Sequence, residues 1–208
     1  MLHWILIAFI SYIIGSIPFG VLISRGIAHT DITRRGSGNI GATNVARELG
    51  LKWGLVTLAL DLLKGLVPVY IFYCYLNPSS GAVIIIVSLS TLLGHQYSLF
   101  KRFHGGKGVA TSLGIFLVLA PLSATIALSV FIIIVYESDF VSLGSMIAAC
   151  SMPLTLLISG GSRYLIFTSL IMAALICFKH KENIKRLLRG EERRWRKGPL
   201  GQKVKKAS

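Results

Sequence analysis

The sequence predicts an all-α, polytopic integral membrane protein. Of its 208 residues, 53% are hydrophobic and only 14% are charged, and the mean hydropathy is +0.70. The apolar residues form long runs, such as GAVIIIVSLSTLLG, that carry no charge and show no polar face. The basic residues collect instead in alternate connections between those runs, as the positive-inside rule requires. These observations argue against a soluble helical bundle.

The apolar segments can be assigned to spans by length, since a crossing helix needs about 20 mostly apolar residues. Val141–Phe178 is too long for one span and barely long enough for two, so one long span with a re-entrant piece, or three short tilted helices, would fit. We expect five full crossings, or seven helices if short ones are counted. Four segments are clear candidates for spans: Leu2–Ile23, Leu51–Leu76, Ala82–Phe100 and Thr111–Val135.

The charge asymmetry orients these spans. Five basic residues lie between Arg25 and Lys52, three between Lys101 and Lys107, and twelve between Lys179 and Lys206. The N-terminus should therefore be outside and the C-terminus in the cytosol, with the connections near Pro78 and Asp139 outside. We divide the chain into one transmembrane catalytic domain, residues 1–190, and a basic cytosolic tail, residues 191–208.

The net charge of +14 does not require a nucleic-acid partner. The excess lies beside the predicted spans, where anionic lipid headgroups are sufficient to explain it. The three cysteines fall in apolar stretches without metal-ligand spacing, and no paired carboxylates accompany the histidines. We therefore expect no metal and no cofactor.

A glycine-rich segment, RRGSGNIGATNVARELG at residues 34–50, follows the first span. Its glycines allow close approach of a ligand to the backbone, and the helix that follows would direct free N–H groups at an anion. Arg47, about one turn into that helix, could hold the anion with two hydrogen bonds. A plain interfacial loop with a capped helix is the alternative. The candidate ligand-binding residues are Gly36, Ser37, Gly38, Asn39, Gly41, Ala42, Thr43 and Asn44.

A second segment, HGGKGVATS, places Gly105, Gly106 and Gly108 around Lys107 just before the fourth span. It lacks the spacing of a Walker A motif, but backbone donors, a helix N-terminus and a lysine together favour phosphate. A third segment continues the last span and puts His180 and Asn183 on one helix face. All three segments fall on the predicted cytosolic side.

Two charged residues, Asp61 and Lys64, lie one turn apart inside the second span. Charges within a membrane are costly and are usually paired or functional. We expect a structural ion pair, with Lys64 beside an anion pocket as the alternative.

Five motifs resemble the bacterial acyl-phosphate-dependent glycerol-3-phosphate acyltransferases, the PlsY family. The motifs occur in order across nearly the whole chain: GSIPFG, RRGSGNIGATNVAR, DLLKG, GHQYSLFKRFHGGKGVAT and HKENIKRLLRGEE. The resemblance implies transfer of a fatty acyl group from acyl phosphate to the sn-1 hydroxyl of glycerol 3-phosphate, in phospholipid synthesis at the bacterial inner membrane. A small organophosphate transporter is the alternative, although no internal repeat is visible.

The resemblance also implies roles for particular residues. Ser37, Arg47, Lys107, His180 and Asn183 would form the catalytic and glycerol-3-phosphate pocket, and Ser145 would join the first glycine loop around the acyl phosphate. The expected reaction is direct attack without an acyl-enzyme or a metal. One chain contains all of these residues, so we expect a functional monomer in contact with membrane lipids.

Overall fold

The computed structural model describes residues 2–75 and 81–196, and the regular structure of these residues is helical. Short 3₁₀ turns at Ile32–Arg34 and Leu99–Lys101 interrupt the two long loops. The α-helices are α1 (Leu2–Ser16), α2 (Phe19–Ala28), α3 (Ala42–Leu49), α4 (Leu51–Tyr75), α5 (Gly81–Gln96), α6 (Val109–Leu119), α7 (Pro121–Ser138), α8 (Val141–Ile158), α9 (Arg163–Lys179) and α10 (Lys181–Leu188).

The described residues contain five segments long and apolar enough to cross a membrane. α6 is a shorter apolar helix, and α9 with α10 forms a further pair bent by 59°. The predicted all-α membrane fold and the number of five long spans are confirmed, although the segments differ from those predicted. The five are α1 with α2, α4, α5 with its following turn, α7 and α8.

The predicted span Thr111–Val135 is in fact two helices. α6 ends at Leu119 and α7 begins at Pro121, because proline cannot continue the hydrogen bonding of the preceding helix but suits the first position of a new one. The two helices form a hairpin that leaves one face of the bundle at Gly108 and returns to it at Asp139.

The contacts of Asp139 establish that return. The backbone N–H of Trp195 donates to the Asp139 carbonyl at 2.9 Å, and the N–H of Arg196 donates to Asp139 Oδ1 at 2.8 Å. The α7–α8 connection therefore lies on the same face as the tail, and the expectation that it faces the opposite side is wrong. The connection near Pro78 falls outside the described residues.

The segment Val141–Phe178 forms two helices, α8 and α9, joined by a turn that includes Gly160 and Gly161. Neither of the arrangements expected from the sequence is present. The described residues make seven helical passes if the shorter α6 and the bent pair α9 with α10 are counted with the five long segments. The number of passes is odd, as the predicted positions of the termini require.

Glycines allow the closest helix contacts. Gly15 of α1 lies against the backbone of Thr91 in α5, and Gly65 of α4 lies against the backbone of Thr111 in α6. A Cβ atom at either position would collide with a carbonyl group, and such small-residue contacts are typical of membrane helices. The two glycine loops, the α7–α8 connection and the end of α9 lie on one face, which we call the loop face.

The tail begins as part of this face. Residues 189–196, which we call the proximal tail, fold back over the bundle through the contacts with Asp139. The sequence placed the boundary of the catalytic domain at residue 190, but the packed structure continues to at least Arg196. Residues 197–208 fall outside the described residues.

Candidate active site

The first glycine loop is shaped by Asn44, the third residue of α3. Its side-chain Oδ1 accepts the Ser37 N–H at 2.9 Å. Its Nδ2 donates to the carbonyls of Asn39 at 2.9 Å and Arg35 at 3.1 Å. Asn44 is 2% exposed, and these bonds use its amide group to hold the loop. Asn44 also lines the cavity described below, and its ligand-binding role stays a prediction.

Gly36 and Gly38 adopt positive φ angles of 58° and 71°, which only glycine tolerates well. A Cβ atom at Gly36 would also collide with Asn44 Oδ1. Both glycines lie outside the lining of the cavity described below, whereas Ser37 and Asn39 line it. The glycines thus shape the loop, and their neighbours face the cavity.

The N-terminus of α3 opens onto the same cavity. Gly41 precedes the helix and donates its N–H to Asn39 Oδ1 at 2.9 Å. Ala42 and Thr43 form the first turn and line the cavity. First-turn N–H groups have no acceptor within the helix, and the helix dipole makes this end favourable for an anion.

The second glycine loop differs from the expected cradle. Gly106 donates its N–H to the His95 carbonyl at 3.0 Å, and a Cβ atom on Gly105 or Gly106 would collide with His95. Neither glycine lines the cavity. Gly108, with φ of 87°, precedes α6 and does line it, together with Lys107. Gly105 and Gly106 therefore pack the loop against the end of α5, and the N-terminus of α6 supplies the anion-binding character.

Lys107 belongs to a polar network beside the N-terminus of α6. Its Nζ donates to Asn183 Oδ1 at 2.6 Å, and Asn183 Nδ2 donates to Glu192 Oε1 at 2.6 Å. The same carboxylate accepts Ser142 Oγ at 2.7 Å and Arg186 Nε at 2.8 Å. The network joins α6, α8, α10 and the proximal tail.

The charges of this network affect one another. Burial lowers the pKa of Lys107 to about 8, partly offset by the nearby Glu192 carboxylate. Burial tends to raise the pKa of Glu192, but the hydrogen bonds from Ser142, Asn183 and Arg186 have a larger, opposite effect. The pKa of Glu192 therefore lies below its usual value. Glu192 is therefore ionised at neutral pH.

His180 and Arg47 complete the polar end. His180 is 1% exposed, and its Nδ1 lies 2.8 Å from the Ile176 carbonyl. Because a carbonyl can only accept, Nδ1 carries the proton and Nε2 is the free acceptor of the neutral ring. Arg47 donates to the Arg193 carbonyl at 3.2 Å, while its buried Nε has no acceptor among the described residues. Ser145 lines the cavity and donates to the Val141 carbonyl at 2.8 Å.

Sequence reasoning assigned no role to the proximal tail, yet Glu192 and Arg193 line the cavity, as do Ser142 and Arg186. Glu192 lies within a motif that carried the family resemblance. The one available signal was an acidic pair, Glu191 and Glu192, in an otherwise basic stretch.

The intramembrane charges form the expected structural pair. Lys64 Nζ lies 2.9 Å from Asp61 Oδ1, and both side chains are at most 4% exposed. Lys64 also donates to the Ile17 carbonyl at 2.8 Å. Asp61 lines the cavity whereas Lys64 does not. The alternative of Lys64 as an anion ligand is not supported.

These groups surround one end of a single cavity of about 280 Å³. All five predicted catalytic residues line it: Ser37, Arg47, Lys107, His180 and Asn183. Its other end is mostly apolar and is lined by residues of α4, α6, α7, α8 and α9. The fold and the cavity together define a multi-pass membrane protein whose site suits a ligand with an anionic head and an apolar chain.

Comparison with known proteins narrows this class. The family model described as glycerol-3-phosphate acyltransferase matches residues 5–190. A glycerol-3-phosphate acyltransferase of Desulfotalea psychrophila is 48% identical over 191 residues, covering 90% of this chain and 96% of the relative. One from Geobacter sulfurreducens is 46% identical over 198 residues, covering 94% and 100%.

A solved structure is also similar. The crystal structure of PlsY (YgiH), an integral membrane glycerol 3-phosphate acyltransferase, in its glycerol 3-phosphate form has a TM-score of 0.88 and 38% identity, covering 92% of this chain and 95% of that one. A lysophosphatidic acid form of PlsY has a TM-score of 0.85. The chain belongs to the glycerol-3-phosphate acyltransferase family and is an integral membrane acyltransferase.

Proposed function

We propose that this acyltransferase moves a fatty acyl group from acyl phosphate to the sn-1 hydroxyl of glycerol 3-phosphate. The products are lysophosphatidic acid and inorganic phosphate. The observation that carries the proposal is the single cavity in which a cationic polar end continues into an apolar end. Such a cavity accommodates a lipid-soluble donor and a water-soluble phosphorylated alcohol at one point.

In this proposal the two substrates divide the polar end. Glycerol 3-phosphate contacts Ser37, Arg47, Lys107, His180 and Asn183. The acyl phosphate lies against Asn39, Gly41, Ala42, Thr43 and Ser145, with its phosphate near the first turn of α3. A helix N-terminus and two cationic side chains are a favourable setting for phosphate oxygens.

The reaction is direct attack by the sn-1 hydroxyl oxygen on the acyl carbonyl carbon. The new ester C–O bond forms as the C–O bond of the mixed anhydride breaks, and the phosphate leaves with the bonding electron pair. The hydroxyl proton passes to a substrate phosphate oxygen or to Nε2 of His180. Lys107 and Arg47 stabilise the charge that develops on the leaving phosphate, and Asn183 with His180 orients the hydroxyl.

In the described residues, no hydroxyl that lines the cavity is hydrogen-bonded to a histidine, which favours attack without an acyl-enzyme. Among the described residues, the Thr111 hydroxyl is hydrogen-bonded to a histidine and lies 3.1 Å from His95 Nδ1. Thr111 is fully buried and does not line the cavity. Ser145, which does line it, donates to a backbone carbonyl of its own helix. Neither hydroxyl is activated as a nucleophile at the cavity.

We further propose that the loop face lies in the cytosol of a bacterium whose inner membrane contains the protein, and that one chain is active by itself. The basic residues of both glycine loops and of the tail belong to this face, as expected for cytosolic loops. All residues of the candidate site come from one chain. Labelling of Ser208→Cys by an impermeant reagent on intact cells, in a background without the native cysteines, would contradict this orientation.

The donor is tested by purified protein with palmitoyl phosphate and glycerol 3-phosphate, with phosphate and lysophosphatidic acid both measured. Equal amounts of the two products are expected, and palmitoyl-CoA should be a poor donor. A preference for palmitoyl-CoA would refute the donor. Recovery of an acylated protein after reaction with palmitoyl phosphate alone would refute direct attack.

A further inference from the structure

Small side chains of α7 and α8 line part of the apolar end of the cavity. Ala124 and Ala127 of α7 and Ala148 and Ala149 of α8 all line it. Ala124 and Ala127 are buried, at 0% and 7% exposure. Because these side chains end at Cβ, α7 and α8 leave space between them that larger residues would fill.

Nearer the loop face the same wall carries large residues. Leu128 and Phe131 line the cavity on α7, and Leu58 and Leu62 line it on α4. Leu128 is 37% exposed and Leu58 is 41% exposed. This part of the cavity is therefore open toward the lipid, while the part lined by alanines is enclosed.

The cavity has a floor. On α8, Met152 lines the cavity, whereas Leu156, one turn further from the loop face, is 2% exposed and belongs to the core. On α9, Ser169 lines the cavity and Leu165, one turn further away, packs against the core. On α7, Ala124 is the last lining residue before the break at Pro121. The lining therefore ends at a definite residue on each of these three helices.

The depth of the cavity follows from helix geometry. Met152 is eleven residues from Val141 at the loop face, which corresponds to about 16 Å at 1.5 Å per residue. Ser169 is also eleven residues from His180, again about 16 Å. α8 and α9 thus give the same depth. On α7, Ala124 is fourteen residues from Ser138, which corresponds to about 21 Å, so the cavity is deepest along α7.

We propose that Ala124 and Met152 determine which acyl chain length this acyltransferase uses. The inference rests on the proposed donor, because it assigns the apolar end to the donor's acyl chain. Each methylene buried in such a cavity improves binding by about fourfold until the chain meets the floor. Beyond that length, the chain must bend toward the lipid and gains nothing further.

The experiment compares kcat/KM for palmitoyl phosphate with kcat/KM for decanoyl phosphate. The ratio of the two is independent of the fraction of protein that is folded. In Ala124→Leu the raised floor should lower the ratio at least about tenfold, since two or more methylenes lose their site. In Met152→Ala the floor recedes to Leu156, and the ratio of stearoyl to palmitoyl phosphate should rise at least about threefold.

Ser88→Leu is the matched control. Ser88 is fully buried in α5 and does not line the cavity, and the substitution adds a leucine to the same core. Its ratios should equal those of the wild type within about twofold. Unchanged ratios in both Ala124→Leu and Met152→Ala would overturn the proposal, as would an equal shift in Ser88→Leu.

The failure of this inference can be distinguished from failure of the proposed function. If the wild type does not use any acyl phosphate, the donor is wrong and the ratios are measured with acyl-CoA substrates instead. A wild type that uses acyl phosphates, with variants that do not change the length preference, refutes the chain-length assignment alone.

Discussion

Raising the pH should inactivate this enzyme through Lys107. Burial, the largest cause, lowers the pKa of this lysine from 10.5 to about 8. The cationic form is the one that can bind a substrate phosphate, and a lowered pKa means that it is present below pH 8 and lost above it. The kcat/KM for glycerol 3-phosphate should therefore decrease on the alkaline side of pH 8.

The size of the effect follows from the titration of one group. One pH unit above the pKa only about one lysine in eleven is protonated, so kcat/KM should fall roughly tenfold per unit. The measurement is kcat/KM for glycerol 3-phosphate between pH 6.5 and 9.5 in about half-unit steps, at saturating donor and with donor hydrolysis subtracted. A profile that remains flat to the end of this range would refute the argument.

A variant pair assigns the decrease to Lys107. Glu192 raises the pKa of Lys107, so Glu192→Gln should move the alkaline limb to lower pH. Glu182→Gln is the control, since Glu182 is exposed and pairs with Lys185. The decisive readout is the pH at which kcat/KM begins to fall. The absolute rate is not decisive, because Glu192→Gln also weakens hydrogen bonds and lowers the rate at every pH. A limb that moves equally in both variants, or in neither, contradicts the assignment.

Three further predictions concern the loops and the helix contacts. Ser37→Ala and Lys107→Ala should each lower kcat/KM at least about tenfold, or about 1.4 kcal/mol, and steady-state kinetics showing wild-type activity in both would overturn the site. Asn44→Ala should destabilise the first glycine loop by about 2–3 kcal/mol, seen as a lower Tm in detergent. Gly65→Ala should lower the Tm because its Cβ atom collides with the Thr111 carbonyl, whereas Gly26→Ala, with open space around it, should not.

The sequence was sufficient to predict the membrane fold and the five candidate catalytic residues at the polar end of the cavity. Long uncharged runs require a membrane, and glycines beside polar residues stand out against them. The five predicted catalytic residues line one cavity although Ser37 and Asn183 are far apart in the chain. Here local composition was informative because polar groups are rare in this chain.

The break between α6 and α7 could not be predicted with the same methods. Apolar residues continue on both sides of Pro121, so hydropathy indicates one span, and proline is common within membrane helices. Pro68 and Pro153 lie inside helices of this same chain. The outcome depends on whether neighbouring helices pack around the break, which is a tertiary property.

The roles of the glycines at the site could not be predicted from the sequence either. Sequence cannot distinguish a glycine that approaches a ligand from one that approaches another helix. Gly105 and Gly106 pack against His95, whereas Gly108 lines the cavity. The proximal tail was missed for a related reason, because the contacts of Glu192 with Ser142 and Asn183 join segments that no periodicity connects.

The charges around the cavity bear on how many phosphates it accepts. Four cationic side chains line it in the described residues: Arg47, Lys107, Arg186 and Arg193. Glu192 neutralises one of them, and the other lining carboxylate, Asp61, is paired with Lys64. A surplus of three positive charges therefore surrounds the polar end. One phosphate monoester carries about −1.5 to −2 at neutral pH, so a single one would leave the surplus uncompensated. Two phosphate groups together approximately balance it, which is the charge that a phosphorylated acceptor and a phosphorylated donor would bring.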